Sequence, residues 1–187
     1  MQKIVDYFFE INNLKRIKRS GSWIAGINNP DTIAEHAFRT AQIGYVLAEL
    51  EKADSSKVLL MCLFHDNAEV RIGDHHKIMA RYMDTQKAEK MATKDQLQNL
   101  PSKIADKLEN VANEFSDKKT KEAIIAKDAD LLELAMQAKE YLELGYQGKQ
   151  DWLDNIKASV QTKTGKEMFE AIEKGSMCDW WQGLKKL

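Results

Sequence analysis

Apolar residues recur along most of this chain at the three- and four-residue spacing of an amphipathic helix. Alternating β-branched runs, which would indicate strands, are nearly absent. The pattern therefore predicts an all-α fold. The predicted helices cover residues 2–15, 30–51, 55–70, 76–99, 101–115, 118–144, 149–160 and 164–174.

Signals at the ends of these segments support the boundaries. Thr32 and Glu35 have the spacing of a capping box, in which each residue bonds the backbone of the other. Ser55 or Ser56 is expected to cap the next helix, and Gly145 is expected to end the long helix before it. The segment 76–99 is polar and rich in lysine, so we expect it to be largely exposed.

The chain has 187 residues, of which 43% are hydrophobic, and this suits a single compact domain with a sizeable core. We expect the core at about residues 30–145, with the C-terminal helices, 149–187, packed on it. The aromatic tail from Cys178 to Trp181 is expected to pack back on the body.

Charge and cysteine content exclude several classes of protein. With 28 basic and 29 acidic residues the net charge is -1, so we expect no nucleic-acid or membrane partner. No segment approaches the run of about 20 apolar residues that a membrane span needs, and no signal peptide is evident. Cys62 and Cys178 lie in apolar or aromatic settings, which favours free thiols and a cytoplasmic location.

The candidate chemistry begins with a His-Asp doublet. His65 and Asp66 end a nearly apolar run, Val58–Phe64, and Glu69 follows at helical spacing on the same side. Burying carboxylates there costs free energy unless a positive charge compensates. A divalent metal would supply that charge.

Two further residues extend this set. His36 and Asp130 each stand in an apolar helical segment. Two imidazoles and two carboxylates suit an octahedral divalent ion with two positions left for water or a phosphate oxygen. The alternatives are a hydrogen-bonded core histidine, a local ion pair at the doublet, and an Asp130 that caps a helix or pairs with Lys127.

The same residues resemble the HD-domain superfamily of metal-dependent phosphohydrolases, and in particular its small, single-domain branch of 5'-deoxynucleotidase-like proteins. The segments that carry the resemblance are Ala34–Ala37, His65–Glu69 continuing into Gly73–Asp74, and Lys127–Asp130. The resemblance implies an HD-domain helical bundle with a metal site between core helices. It also implies one divalent ion (Mn, Co, Fe, Ni, Zn or Mg) held by His36, His65, Asp66 and Asp130.

Further roles follow from the resemblance. It implies that Glu69 and Asp74 act as acid/base or water-orienting groups, and that Arg19 binds the phosphate with an aromatic residue beside the nucleoside. The aromatic candidate is Trp23, although Ser20, Gly21 and Ser22 separate it from Arg19, whereas some relatives place the aromatic directly after the arginine.

A second departure follows Gly73-Asp74, where some relatives carry an apolar residue and a proline. This chain has His75-His76 there, and either histidine could contact substrate or lie on an exposed loop. Lys77, Arg81 and Lys127 are candidate cations for additional phosphates.

The leading hypothesis is an enzyme that removes the 5'-phosphate from (deoxy)nucleoside monophosphates. One alternative is a triphosphohydrolase that releases tripolyphosphate from a dNTP, and another is a non-catalytic nucleotide-binding protein. The resemblance also implies a small-molecule nucleotide substrate and a homodimer.

Overall fold

The fold is built from α-helices, as the hydrophobic pattern predicts. A computed structural model describes residues 1–184, within which the β-structure is one isolated bridge between Lys18 and Thr32. The helices are α1 (Gln2–Ile11), α2 (Ser20–Ile24), α3 (Ile33–Glu51), α4 (Ser55–Phe64), α5 (Glu69–Ile72), α6 (Thr85–Leu97), α7 (Ser102–Asp117), α8 (Lys121–Glu143), α9 (Gln150–Ser159) and α10 (Lys163–Lys174).

The helix caps confirm one expectation and correct another. Thr32 and Glu35 form the predicted capping box at the start of α3. Neither Ser55 nor Ser56 caps α4; instead Asp54 accepts a hydrogen bond from the Lys57 backbone amide at 3.0 Å. An aspartate one residue earlier takes the capping position because its carboxylate is a strong acceptor for that amide.

Two predicted segments are subdivided. The segment 55–70 is not one helix, because α4 ends at Phe64 and a turn precedes α5, which places His65 and Asp66 at a helix end. In the segment 76–99, residues Met79–Arg81 form a 3-10 turn, and the α-helix begins only where Asp84 caps it. The short helix α2 was not predicted, and it lies between the first two predicted helices, 2–15 and 30–51.

The core is centred on α3, α4 and α8, which pack against one another, with α7, α9 and α10 around them. Gly44 of α3 permits the closest approach, since a Cβ atom there would overlap the Sγ atom of Cys62 and lie 3.2 Å from a methyl of Val58. This close packing brings the start of α3, the end of α4 and the middle of α8 into one region.

The C-terminal helices are tied to the core by a buried carboxylate. Asp128 accepts hydrogen bonds from the backbone amides of Gln161 and Thr162, at 2.9 and 2.7 Å. Gly145, with φ at 100°, ends the long helix as predicted. The expected packing of the tail is wrong for Trp180, which is 76% exposed. Along residues 1–184, none of the helices has both the length and the apolarity that crossing a bilayer requires.

Candidate metal centre

Four side chains from three parts of the fold converge at one point. The Nε2 atom of His36 on α3 lies 3.3 Å from Nε2 of His65 and 3.2 Å from Oδ1 of Asp130 on α8. Asp66 Oδ2 lies 3.1 Å from His65 Nε2 and 3.6 Å from His36 Nε2. One ligand atom each from His36, His65 and Asp66 lies within 4.8 Å of the others, a spacing that could hold a metal ion.

The remote nitrogens of both histidines are held by acceptors. Nδ1 of His65 lies 2.8 Å from the carbonyl oxygen of Cys62, and Nδ1 of His36 contacts the carboxylate of Glu133. With the protons on these nitrogens, both Nε2 lone pairs point into the cluster. This arrangement, a histidine oriented by an outer acceptor, is the usual support of a metal-binding imidazole. The residues therefore fit a divalent ion.

The electrostatics of the cluster show how much negative charge is gathered there. Burial and Arg19 act to lower the pKa of His36, yet the hydrogen bonds that its ring donates to Asp130 and Glu133 raise that pKa to about 9. Burial acts to raise the pKa of Asp66, but positive charge on His65, His36 and Arg19 holds it well below its ordinary value.

Asp130 is shared between the cluster and a lysine. Its Oδ2 atom lies 2.5 Å from Nζ of Lys127, one turn earlier on α8, while Oδ1 faces His36. Burial acts to raise the pKa of Asp130, and Lys127 with the histidines lowers it well below its ordinary value. The ion pair with Lys127, one of the sequence alternatives, therefore coexists with a ligand-like position.

Among the described residues, Glu69 presents a buried carboxyl oxygen without a hydrogen-bond partner beside this cluster. Its side chain is buried, and its Oε2 atom has no hydrogen-bond partner within the described residues. Burial, together with the negative charge of Asp66 and Asp74, raises the pKa of Glu69 to about 11. A buried carboxyl oxygen without a partner is costly, which suggests that a reactant or water occupies this position in the working protein.

Asp74 is engaged differently, although the sequence suggested the same kind of role. Its Oδ2 atom accepts hydrogen bonds from the backbone amide and the hydroxyl of Ser20, at 2.6 and 2.5 Å. Its Oδ1 atom lies 3.5 Å from Arg19, whose guanidinium also donates to Asp66 at 3.2 Å. Asp74 thus fixes the start of α2, and α2 places Arg19 over the cluster.

The remaining predicted site residues are not drawn into this cluster. Trp23 is 62% exposed, and Lys77 is exposed; within the described residues neither side chain forms a hydrogen bond or ion pair. His75 has a buried Nδ1 without a hydrogen-bond partner in the same part of the chain, whereas His76 accepts a bond from the Met79 amide. Substrate contacts by Trp23, His75 and Lys77 remain predictions.

Glu133 is the residue that the sequence reasoning missed. Besides contacting His36, it receives two hydrogen bonds from Arg39, at 3.0 and 2.8 Å. The available signal was its position three residues after Asp130, which places both carboxylates on one side of α8. Ser20 was also missed, because it was treated as a spacer between Arg19 and Trp23.

Comparison with known proteins agrees with this geometry. The family described as HD domain matches residues 11–173. A 5'-deoxynucleotidase HDDC2 of Dictyostelium discoideum is 30% identical over 151 residues, which are 75% of this chain and 78% of that protein. The protein of the same name from Danio rerio is 27% identical over 168 residues, covering 87% and 80%. A conserved hypothetical protein from Pyrococcus furiosus superposes with a TM-score of 0.77 at 30% identity, covering 91% and 99%.

Proposed function

We propose that this chain is a metal-dependent phosphohydrolase that removes the 5'-phosphate from deoxynucleoside monophosphates. The starting point is that the chain belongs to the HD domain family. The observation that carries the proposal is the convergence of two Nε2 atoms and two carboxylates beside a buried, unpartnered oxygen of Glu69. The similarity to proteins named 5'-deoxynucleotidase supports the choice of substrate class.

The ligand set of the proposed centre is His36, His65, Asp66 and Asp130. When bound there, a divalent ion supplies Lewis acidity toward a phosphate oxygen and makes a nearby water more acidic. Nitrogen and carboxylate ligands in this number are compatible with Mn²⁺, Co²⁺, Fe²⁺, Ni²⁺, Zn²⁺ or Mg²⁺.

Three residues of the chain bind the phosphate, transfer a proton and orient the phosphate-binding group. Arg19 donates its forked N–H groups to the phosphate, a role that its ion pairs with Asp66 and Asp74 prepare it for. Glu69, whose Oε2 is free, exchanges a proton with the attacking water or with the leaving 5'-oxygen. Asp74 holds Ser20 and so orients Arg19, and this contact leaves it less available for proton transfer than Glu69.

The cations around the site favour a monophosphate over the triphosphate alternative. Lys127 is bound to Asp130, and Lys77 and Arg81 are exposed without ion pairs in the described residues. A triphosphate would require additional fixed positive charge near the cluster. Arg19 is a partly buried cation beside the ligands, and it is paired with carboxylates on two sides.

The test is a product assay with a panel of nucleoside monophosphates, deoxynucleoside monophosphates and dNTPs, each with Mn²⁺, Co²⁺ or Mg²⁺ added. We expect inorganic phosphate from deoxynucleoside monophosphates. Tripolyphosphate from dATP would favour the triphosphohydrolase, and no product from any substrate with any metal would contradict the proposed function.

Two substitutions separate the proposed roles of the carboxylates. Glu69→Gln should lower kcat by about 10²–10⁴-fold, the range typical for loss of a general acid or base, without loss of metal. Asp74→Asn should chiefly raise KM, since it disturbs Ser20 and Arg19. If both substitutions lowered kcat equally and left KM unchanged, Glu69 and Asp74 would not have the separate roles proposed for them.

A homodimer in the cytoplasm is also part of this proposal. The support for the dimer is one outer face of α3, where Phe38 and Tyr45, two turns apart, are 67% and 45% exposed. Light scattering coupled to gel filtration should give about twice the mass of one chain, and Phe38→Glu with Tyr45→Glu should return it to one. A monomeric parent protein would overturn the dimer without affecting the proposed reaction.

A further inference from the structure

Helix α2 is held on two opposite flanks. On the flank that faces the metal centre, Ser20 bonds Asp74, and Arg19 pairs with Asp66. On the other flank, Gly21 lies against the ring of Trp152 so closely that a Cβ atom would come within 2.6 Å of its Cη2 atom. A helix of five residues has little stability of its own, so these contacts decide where Arg19 lies.

Lys149 lies at the centre of the second flank. The residue is 1% exposed, and its Nζ atom donates to the hydroxyl of Ser22 at 3.0 Å. The same Nζ atom stands 3.3 Å from the centroid of the Trp152 ring and 5.5 Å from that of Tyr141. Within the described residues it forms no ion pair with a carboxylate.

Burying an ammonium group without a carboxylate partner costs desolvation free energy that an apolar side chain of similar length would avoid. In return, the charged group donates a directed hydrogen bond to Ser22 and makes a cation–π contact that fixes Trp152. Tyr141 connects this side of α2 to Arg19 through Asp31. Its hydroxyl donates to the Asp31 carboxylate at 3.1 Å, and the Asp31 carbonyl oxygen accepts from the Arg19 amide at 3.0 Å.

We propose that Lys149 is a positioning residue for phosphate binding. Together with Trp152 it clamps the rear of α2, so that Arg19 reaches the substrate phosphate in a fixed orientation. This inference rests on the proposed function for the role of Arg19, whereas the clamp itself concerns the conformation of residues 19–27. The two can therefore be tested separately.

The clamp is tested by hydrogen exchange on the metal-loaded full chain, without any substrate. In Lys149→Met, which keeps the length of the stem but removes the charge and the donor, the amides of residues 19–27 should exchange at least about tenfold faster, while those of α8 stay unchanged. Lys139→Met, which removes another partly buried lysine remote from α2, is the matched control. Unchanged protection in residues 19–27 would overturn the clamp, whatever the enzymatic activity.

The functional link is tested by a double-mutant cycle with Arg19→Ala, read as KM for the deoxynucleotide and as inhibition by inorganic phosphate. Lys149→Met alone should raise KM and the inhibition constant of inorganic phosphate by at least about tenfold, which is the loss expected for a misplaced charged hydrogen bond. It should change kcat less. In the Arg19→Ala background, Lys149→Met should have no further effect.

Additive effects in that cycle would show that Lys149 does not act through Arg19 and would overturn the proposal. If Lys149→Met does not fold, Ser22→Ala removes the same hydrogen bond while leaving the cation in place, and the same outcomes apply to it. Absence of hydrolysis in the parent protein would contradict the proposed function, and the hydrogen-exchange result would still decide the clamp.

Discussion

Glu133 lies behind His36, and its carboxylate decides which nitrogen of that ring carries the proton. The contact with Nδ1 leaves Nε2 free for a metal, and Arg39 holds Glu133 in place with two hydrogen bonds. The carboxylate is therefore part of the proposed metal centre, although it is not one of the proposed ligands. Such outer partners typically change metal affinity about 10–100-fold when they are removed.

We therefore expect Glu133→Gln to weaken Co²⁺ or Mn²⁺ binding by about 10–100-fold, measured by titration calorimetry. The matched control is Glu140→Gln, which loses a 2.6 Å contact with the same Arg39 but none with His36. If the two variants bind metal equally well, the contact between Glu133 and His36 does not support the metal.

Lys149 leads to a prediction about pH. Burial lowers the pKa of Lys149 to about 8, against an ordinary value of 10.5, with Asp31 raising it and Arg19 lowering it further. Between these values the unfolded chain binds more protons than the folded one, so this residue's contribution to the free energy of unfolding increases with pH. Across the whole interval between the two pKa values, this contribution to the free energy of unfolding increases by about 3 kcal/mol.

Urea unfolding of the parent protein and of Lys149→Met at several pH values isolates this effect, because the other titrating groups are common to both. The free energy of unfolding of the parent, minus that of the variant, should rise by up to about 3 kcal/mol between pH 7 and pH 11. A difference that does not change with pH would mean that Lys149 keeps its ordinary pKa in the folded state.

At the scale of the helices, periodicity predicts the long elements better than the short ones. The boundaries of α3 and α8 follow from a continuous apolar face with a capping box or a glycine at the end. The helix α2 could not be predicted in this way, since its start depends on Asp74, more than fifty residues away in the chain. The break between α4 and α5 has no glycine or proline to mark it.

The closest helix contact in the core leads to a stability prediction. Gly44→Ala should lower the free energy of unfolding by about 1–3 kcal/mol, because the added methyl overlaps Cys62 and crowds Val58 in a tightly packed core. Urea unfolding measures the change. Gly183→Ala, where no atom of residues 1–184 lies within 4 Å of the new Cβ, should alter stability by less than about 0.5 kcal/mol, and equal effects would contradict the packing argument.

At the scale of the whole molecule, the site depends on charges that the overall composition does not reveal. The net charge is -1, yet Asp66, Asp130, Glu69 and Asp74 are gathered with Arg19 in one buried region. The order of these residues along the chain, together with a resemblance in their motifs, was enough to select them. It could not distinguish the free Glu69 from the engaged Asp74, because that difference depends on the position of Ser20.

The same limit applies to the segment Lys127–Asp130, in which two aspartates have different environments. Asp128 faces the C-terminal helices and bonds the backbone near Thr162, while Asp130 faces His36. The sequence analysis selected Asp130 from its apolar surroundings and from the resemblance, and it gave no role to Asp128. Their spacing of two residues places them on different sides of α8, one side structural and the other directed to the metal centre.

We propose that release of the 5'-phosphate requires one divalent ion, held by His36, His65, Asp66 and Asp130. The decisive measurement is of bound Co²⁺ and of phosphate release from dAMP in the same samples of the parent, His65→Ala and Asp66→Ala. We expect one ion per chain and phosphate release in the parent, with both lost together in each variant. Full phosphate release by either variant would contradict the claim.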